Sequence, residues 1–224
     1  TGSGMEPNFA SLDEFSGILN MLPEPDAAAR AAADERNGQL TKPPGALGRL
    51  EDLAGWYCAW RGDPKTQVSR PQIIVFAGNH GAFPAEVTEQ MVRNFEAGGA
   101  AISQLSKAIG ARMSVCALSL DAPTADFTAG PAMSEAELLE ALLEGWRAVD
   151  TGADLLILGE MGIGNTTSAA AMSLAAFGGR AEDWTGRGSG LDGDALAHKA
   201  GVVARAVETN APCRGDGLQI LRCL

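Results

Sequence analysis

Apolar side chains recur every three or four positions through the first third of the chain and then gather into short unbroken runs, a change of period that marks a change of architecture. Phe9 to Leu22 and Asp26 to Leu40 have helical spacing with alanine-rich faces. Pro43, Pro44 and Gly45, inside KPPGALGRLE (Lys42 to Glu51), stop that pattern before Leu47 to Trp60 begins another helix. Residues 5–65 are therefore predicted to form a helical N-terminal arm or small domain; Thr1 to Gly4, ahead of Met5, look like an expression scar. The run QIIVFA, Gln72 to Ala77, is β-branched and bounded by Pro71 and Gly78, and Val87 to Gly110 then has the spacing of one helix. Met113 to Leu120 predicts a second strand. Ser134 to Thr151 predicts a helix opened by a capping box, Ser134 with Glu137. Leu155 to Leu158 predicts a third strand, and Thr167 to Phe177 its helix. Apolar strands separated by helices predict a parallel sheet with flanking helices and right-handed crossovers. The fold class is thus α/β: a three-layer, Rossmann-like nucleotide-binding domain over residues 66–224, plus the helical N-terminal subdomain.

Composition narrows the partners. The 224 residues are enough for one sizeable core with an appended subdomain. A formal net charge of −11, without clusters of lysine or arginine, argues against nucleic acid and anionic membrane and leaves small molecules. The sequence shows neither a signal peptide nor an apolar membrane span. Cys58, Cys116, Cys213 and Cys223 are widely spaced, with no C-x-x-C pair, and His80 and His198 lie far apart. That pattern builds no local zinc site, and it predicts four thiols without assigned chemistry in a reducing cytoplasm.

The candidate chemistry centres on DLLILGEMGIGNTTSAAAM, Asp154 to Met172, where a buried strand breaks into glycines, two threonines and an alanine-rich helix. That order puts backbone N–H groups and a helix N-terminus beyond a strand's carboxyl end, where α/β proteins hold phosphate. Glu160 inside the turn is costly beside a phosphate unless it meets a cation, a hydroxyl or a sugar, which points to a ligand with phosphate and ribose-like character. The plain alternative is a tight strand-to-helix turn. Loops after parallel strands converge on one edge, so GNHG (Gly78 to Gly81), DAPTADF (Asp121 to Phe127) and GEMGIGNTT (Gly159 to Thr167) are candidates for one site. A fourth glycine turn, GRGSG (Gly186 to Gly190), precedes a helix from Leu191 towards Thr209 that carries Lys199, a combination suited to an anion, although most lysines are simply solvated.

KPPGALGRLE, FAGNHG, FPAEVTEQMVRNFEAGGAAI, PTADFT, GEMGIGNTT and GRGSGLD, in that order from about Leu40 onward, resemble the nicotinate-nucleotide:5,6-dimethylbenzimidazole phosphoribosyltransferase family. The resemblance implies an enzyme, a pentosyltransferase of cobalamin lower-ligand biosynthesis. It transfers phosphoribose from nicotinate mononucleotide to the benzimidazole and releases α-ribazole 5′-phosphate and nicotinate. It further implies a parallel α/β domain with a helical small domain, a homodimer, and no cofactor. The chemistry is coherent with a site that lacks a metal cluster: the pyridinium nitrogen of the donor is already cationic, so nicotinate leaves without a proton from an acid. By the same resemblance Glu160, Gly162 and Asn165 contact ribose and phosphate, and by analogy with glycosidic chemistry a carboxylate there, such as Glu160, can stabilise a ribosyl oxocarbenium ion. Gly188 and Lys199 resemble phosphate partners, and Asn79, His80, Glu86 and Gln90 the wall of the aromatic-base pocket. Read without the resemblance, His80 is a turn stabiliser, Gln90 a solvated side chain, and Phe83 and Met91 core.

Two departures from the family pattern stand out. Relatives usually carry several more residues between Gly81 and Ala82, and they continue beyond the final ILRCL. The glutamate usually given the general-base role lies in that continuation, so the 224 residues alone are expected to be inactive. A non-catalytic nucleotide- or azole-binding module of the same family is the main alternative. A Rossmann oxidoreductase is disfavoured because the first strand ends in GNHG rather than G-x-G-x-x-G. A pyrophosphate-dependent phosphoribosyltransferase is disfavoured because no predicted strand ends in paired acidic residues.

Overall fold

A computed structural model describes residues 6–84, 86–188 and 190–224, except for the side chain of Glu86. The suspected scar, Thr1 to Gly4, lies outside the described residues. The chain divides into two compact units, residues 13–69 and residues 1–12 with 70–224.

The smaller unit is helical. It holds most of α1 (Leu12–Leu19), α2 (Ala27–Gln39) and α3 (Arg49–Arg61), with α2 packed on α3. Asp26 caps α2 by accepting from the Ala29 amide at 2.9 Å. The proline-glycine stretch between α2 and α3 is fastened by Glu51, which takes hydrogen bonds from Lys42 Nζ at 2.8 Å, Asn37 Nδ2 at 2.9 Å and the Leu47 amide at 3.1 Å. Those donors, Lys42 first, hold the Glu51 carboxyl down at about 2.

The larger unit is α/β. Three strands, β1 (Pro71–Ala77), β2 (Arg112–Ala117) and β3 (Leu155–Met161), form a parallel sheet in the order β2-β1-β3. β1 lies in the middle and is covered on both faces, which is why its sequence is an unbroken apolar run; Ile73, Ile74 and Val75 are almost fully buried. β2 and β3 flank it with one face more open. The helices are α4 (Glu86–Glu96), α5 (Ala101–Ala108), α6 (Glu135–Ala148), α7 (Asn165–Phe177), α8 (Ala181–Trp184), α9 (Gly193–Thr209) and α10 (Gly217–Cys223). Small residues of α7 (Ala170, Ala171) meet Val203, Ala206 and Val207 of α9, and Phe127, Ile220 and Cys223 complete this core. No helix among the described residues is long and apolar enough to cross a membrane.

Several expectations need correction. The single helix expected over Val87 to Gly110 is two, because Gly98 takes a left-handed φ of 79° and its amide closes the turn onto the Phe95 carbonyl at 3.0 Å. Apolar spacing continues across the break and hides it. The second strand stops at Ala117, short of Leu120, whereas the third runs on to Met161, past Leu158. The capping box is present, with Ser134 Oγ accepting from the Glu137 amide and Glu137 accepting from the Ser134 amide. In place of four unpaired thiols, Cys213 and Cys223 form a disulfide, leaving Cys58 and Cys116 free. The short 3₁₀ turn Ala211–Cys213 and α10 are joined through Gly215, whose φ of 92° folds the chain back and brings the two Cα atoms to 6.6 Å. Pairing depends on that distance, which sequence spacing alone does not reveal.

Candidate active site at the strand ends

The carboxyl ends of the three strands are laced together by backbone and amide groups. The Gly78 amide donates to the Met161 carbonyl at 3.0 Å, tying the exit of β1 to that of β3. Asn79 is buried; its Nδ2 donates to the Leu120 carbonyl at 2.9 Å, and its own carbonyl accepts from the Thr124 amide at 3.2 Å. His80 and Thr124 form a parallel bridge. The loops after β1, β2 and β3 therefore converge, as the sequence predicts.

Beyond β3 the glycines are demanded by space. A Cβ at Gly162 would run into the Gly78 carbonyl, and one at Gly164 into the Phe83 ring. Gly164 also takes a φ of 96° as the cap of α7, and no side chain caps that helix. Asn165, Thr166 and Thr167 of its first turn line a cleft of about 830 Å³, which Leu191, just before α9, and Ala195, His198, Lys199, Val202 and Arg205 of α9 also line. Positive helix-end potential and a row of basic side chains thus share one cavity.

Lys199 is the decisive side chain. It is only 7% exposed, and its ammonium donates to Thr166 Oγ1 at 2.8 Å and to the Gly186 carbonyl at 2.9 Å. Both acceptors are neutral, and burial pushes the ammonium below its usual range. An ammonium has three donors, of which these bonds use two, and a Cβ at Gly188 would come within 3.3 Å of Nζ, so glycine keeps side-chain bulk away from it. At the cleft wall Asp126 is held below the ordinary carboxylate range by the hydroxyl and amide of Thr128, with a smaller contribution from Arg205.

Glu160 sits at the end of β3 on the cleft wall, and Asn165 Nδ2 donates to its Oε2. On the other side of Asn165, Oδ1 lies 2.6 Å from His80 Nε2, and His80 Nδ1 is 3.4 Å from Ser168 Oγ. All five residues expected at ribose and phosphate, Glu160, Gly162, Asn165, Gly188 and Lys199, line the cleft. Of those expected at the aromatic base, Asn79, His80 and Gln90 are not among the described residues that line it. Asn79 is engaged with Leu120, His80 turns towards Asn165, Gln90 is exposed on α4, and the Glu86 side chain lies outside the described residues. Sequence reasoning missed Thr166, His198 and Arg205. His198, Val202 and Arg205 recur at i, i+4 and i+7 on one face of α9, and that spacing, with each threonine of GNTT tested separately, was the signal available. Among the described residues no group of three histidine, cysteine or acidic side chains is placed to hold a metal ion.

A phosphoribosyltransferase family model matches residues 22–224. The chain belongs to this family. It is 62% identical over 227 residues to the nicotinate-nucleotide–dimethylbenzimidazole phosphoribosyltransferase of Ruegeria pomeroyi, covering 98% of this chain and 67% of the relative. To the enzyme of the same name from Jannaschia sp. it is 59% identical over 221 residues, covering 96% and 66%. Among solved structures, CobT from Thermus thermophilus superposes with a TM-score of 0.77 at 38% identity, over 87% of this chain and 66% of that one. The chain spans about two thirds of the length of these relatives. Membership of this phosphoribosyltransferase family bears out the sequence resemblance and, with it, the parallel α/β class.

Proposed function

We propose that these residues form the nucleotide half of an active site that transfers phosphoribose from nicotinate mononucleotide to 5,6-dimethylbenzimidazole. The observation that carries the reading is the buried Lys199, facing neutral acceptors and the uncapped start of α7: a desolvated ammonium of this kind is relieved by an anion of phosphate type. With the 5′-phosphate held between Lys199, Gly188 and the first turn of α7, the ribose falls towards Glu160 and Asn165. In the reaction the C1′–N bond breaks, and its electron pair passes to the pyridinium nitrogen, neutralising it. C1′ acquires oxocarbenium character, which the Glu160 carboxylate stabilises. An azole nitrogen attacks from the opposite face, which inverts the β-nucleotide to the α-product, and the proton on the other azole nitrogen goes to a base. Glu86 and Gln90 stay assigned to the azole side on the motif resemblance alone, while Asn79, already bonded to the Leu120 carbonyl, supports that side from behind.

The reading includes a cytoplasmic setting and a homodimer. Supporting an association surface, α3 and the residues before it expose Leu47, Leu50, Leu53, Trp56 and Trp60. The test is incubation of the complete protein with nicotinate mononucleotide and 5,6-dimethylbenzimidazole, following nicotinate and α-ribazole 5′-phosphate by chromatography and NMR. Equimolar products with the α configuration are expected; absence of both products overturns the reading.

A further inference from the structure

His80 sits at the exit of β1, 85 residues from Asn165, yet its ring lies against the amide that contacts Glu160. The direction of every proton in this chain follows from one end. An ionised carboxylate only accepts, so the Asn165 NH₂ must face Glu160 and its Oδ1 must face His80. A carbonyl oxygen also only accepts, so His80 carries its proton on Nε2. In the neutral imidazole that leaves Nδ1 as acceptor for the Ser168 hydroxyl, 3.4 Å away on the buried face of α7. Donors therefore run one way, Ser168 to His80 to Asn165 to Glu160. The chain bridges the loop after β1, the start of α7 and the end of β3, and Phe83 closes the ring side edge-on, with centroids 6.5 Å apart.

We propose that His80 is a positioning residue for phosphoribosyl transfer: by donating from Nε2 it fixes the Asn165 amide and, through it, aims the Glu160 carboxylate at C1′. This rests on the reaction proposed above and moves His80 from the azole wall to the ribose side. Without that donor the Asn165 amide is held from one end only, by Glu160, and is free to swing with the carboxylate rather than fix it. The carboxylate then loses its fixed direction when charge develops on the sugar, an effect felt in the transition state more than in the bound substrate.

The complete enzyme tests this with two variants. His80→Phe keeps a ring and removes the donor; His80→Gln keeps an N–H near the place of Nε2. Removing a hydrogen-bonding support behind a working side chain costs about 10- to 100-fold, and His80→Phe is expected to lower kcat on that scale while KM for nicotinate mononucleotide changes by less than about threefold. His80→Gln should recover most of the loss. In a Glu160→Gln background, His80→Phe should cost nothing further. Wild-type kcat in His80→Phe, equal losses in both variants, or losses that multiply in the double variant each overturn the proposal. Imidazole ¹⁵N NMR gives a readout that needs no turnover: the Nε2–H tautomer is expected, and an Nδ1–H tautomer overturns the hydrogen-bond chain. A complete protein that transfers no phosphoribose overturns the reaction reading instead, and the tautomer then decides the chain of donors by itself.

Discussion

The two sides of the strand-end region are built differently. On the α7–α9 side, Gly162, Gly164 and Gly188 clear space, Lys199 is fixed by two hydrogen bonds, and Asn165 is gripped from both ends, so polar groups converge on one cavity. On the β1–α4 side, Asn79 is turned inward to join two loops and Gln90 is exposed. On the proposed reading one side takes an anion and a sugar, and Asn79 on the other braces the loops that carry it. The contrast teaches that residues sharing a family motif can act at different removes from a ligand, and that the partner each side chain already has separates them.

The contrast breaks most visibly at Glu160. Glu160→Gln in the complete enzyme keeps the size of the side chain and removes the charge, and loss of one well-aimed electrostatic group costs about 10²–10³ in kcat. Nucleotide binding measured by calorimetry should change far less. Unaltered turnover at saturating substrates would remove Glu160 from the catalytic side.

Lys199→Ala comes next. On the proposed reading it removes a charge-assisted contact to phosphate, worth about 1.5–3 kcal/mol, and should weaken nicotinate mononucleotide by that amount while leaving the free benzimidazole unaffected. Equal losses for both ligands would make the lysine structural. The pH dependence has a definite sign. Burial lowers the Lys199 ammonium below its ordinary 10.5, so the charge is lost, and phosphate affinity with it, at a lower pH than an exposed lysine would give. The same shift makes the charged, unliganded site a cost to the folded state below the folded value, relieved as pH rises through it. A bound phosphate opposes that cost, so nucleotide binding on the alkaline side should take up protons, which calorimetry in two buffers measures.

How much of this was legible in the chain follows from where the information lies. β1 was plain because burial on both faces writes an unbroken apolar run between Pro71 and Gly78. The glycine turns and the start of α7 were legible because close backbone approach demands glycine and the helix start is written in the order of residue types. The break at Gly98 was not, since apolar spacing on either side agrees with a continuous helix. The disulfide was hidden because it depends on how α10 folds back, and α10 itself is only seven residues long. The partners of Asn79 and His80 were invisible for the same reason: a side-chain amide or imidazole chooses its partner across 41 or 85 residues, and no local pattern records the choice.

Asn79→Ala sharpens the comparison from the structural side. It strands the Leu120 carbonyl, and leaving such a group unpaired costs about 1–3 kcal/mol. Urea denaturation should show the midpoint falling with an unchanged slope, while affinity for a benzimidazole in the folded protein stays within twofold, roughly the ±0.5 kcal/mol of a neutral change. A large loss of azole affinity without loss of stability would return Asn79 to the ligand.

Gln90→Ala is expected to have the smallest effect and is the sharpest check on the motif assignment. Gln90 is exposed on α4, and the substitution removes a solvated amide from a helix that alanine favours. If the described contacts were the whole of its role, stability, nicotinate mononucleotide affinity and azole affinity would all stay within about 0.5 kcal/mol of the original. The azole reading expects a narrower exception. A benzimidazole laid against α4 would take a hydrogen bond from Gln90, and its loss would weaken the azole alone by about 0.5–1.5 kcal/mol, with Asn79→Ala leaving the azole unchanged. Calorimetric titration of the complete protein with 5,6-dimethylbenzimidazole separates the outcomes. A selective loss keeps Gln90 at the azole and leaves Asn79 behind it. No loss in either variant withdraws Asn79 and Gln90 from contact with the azole.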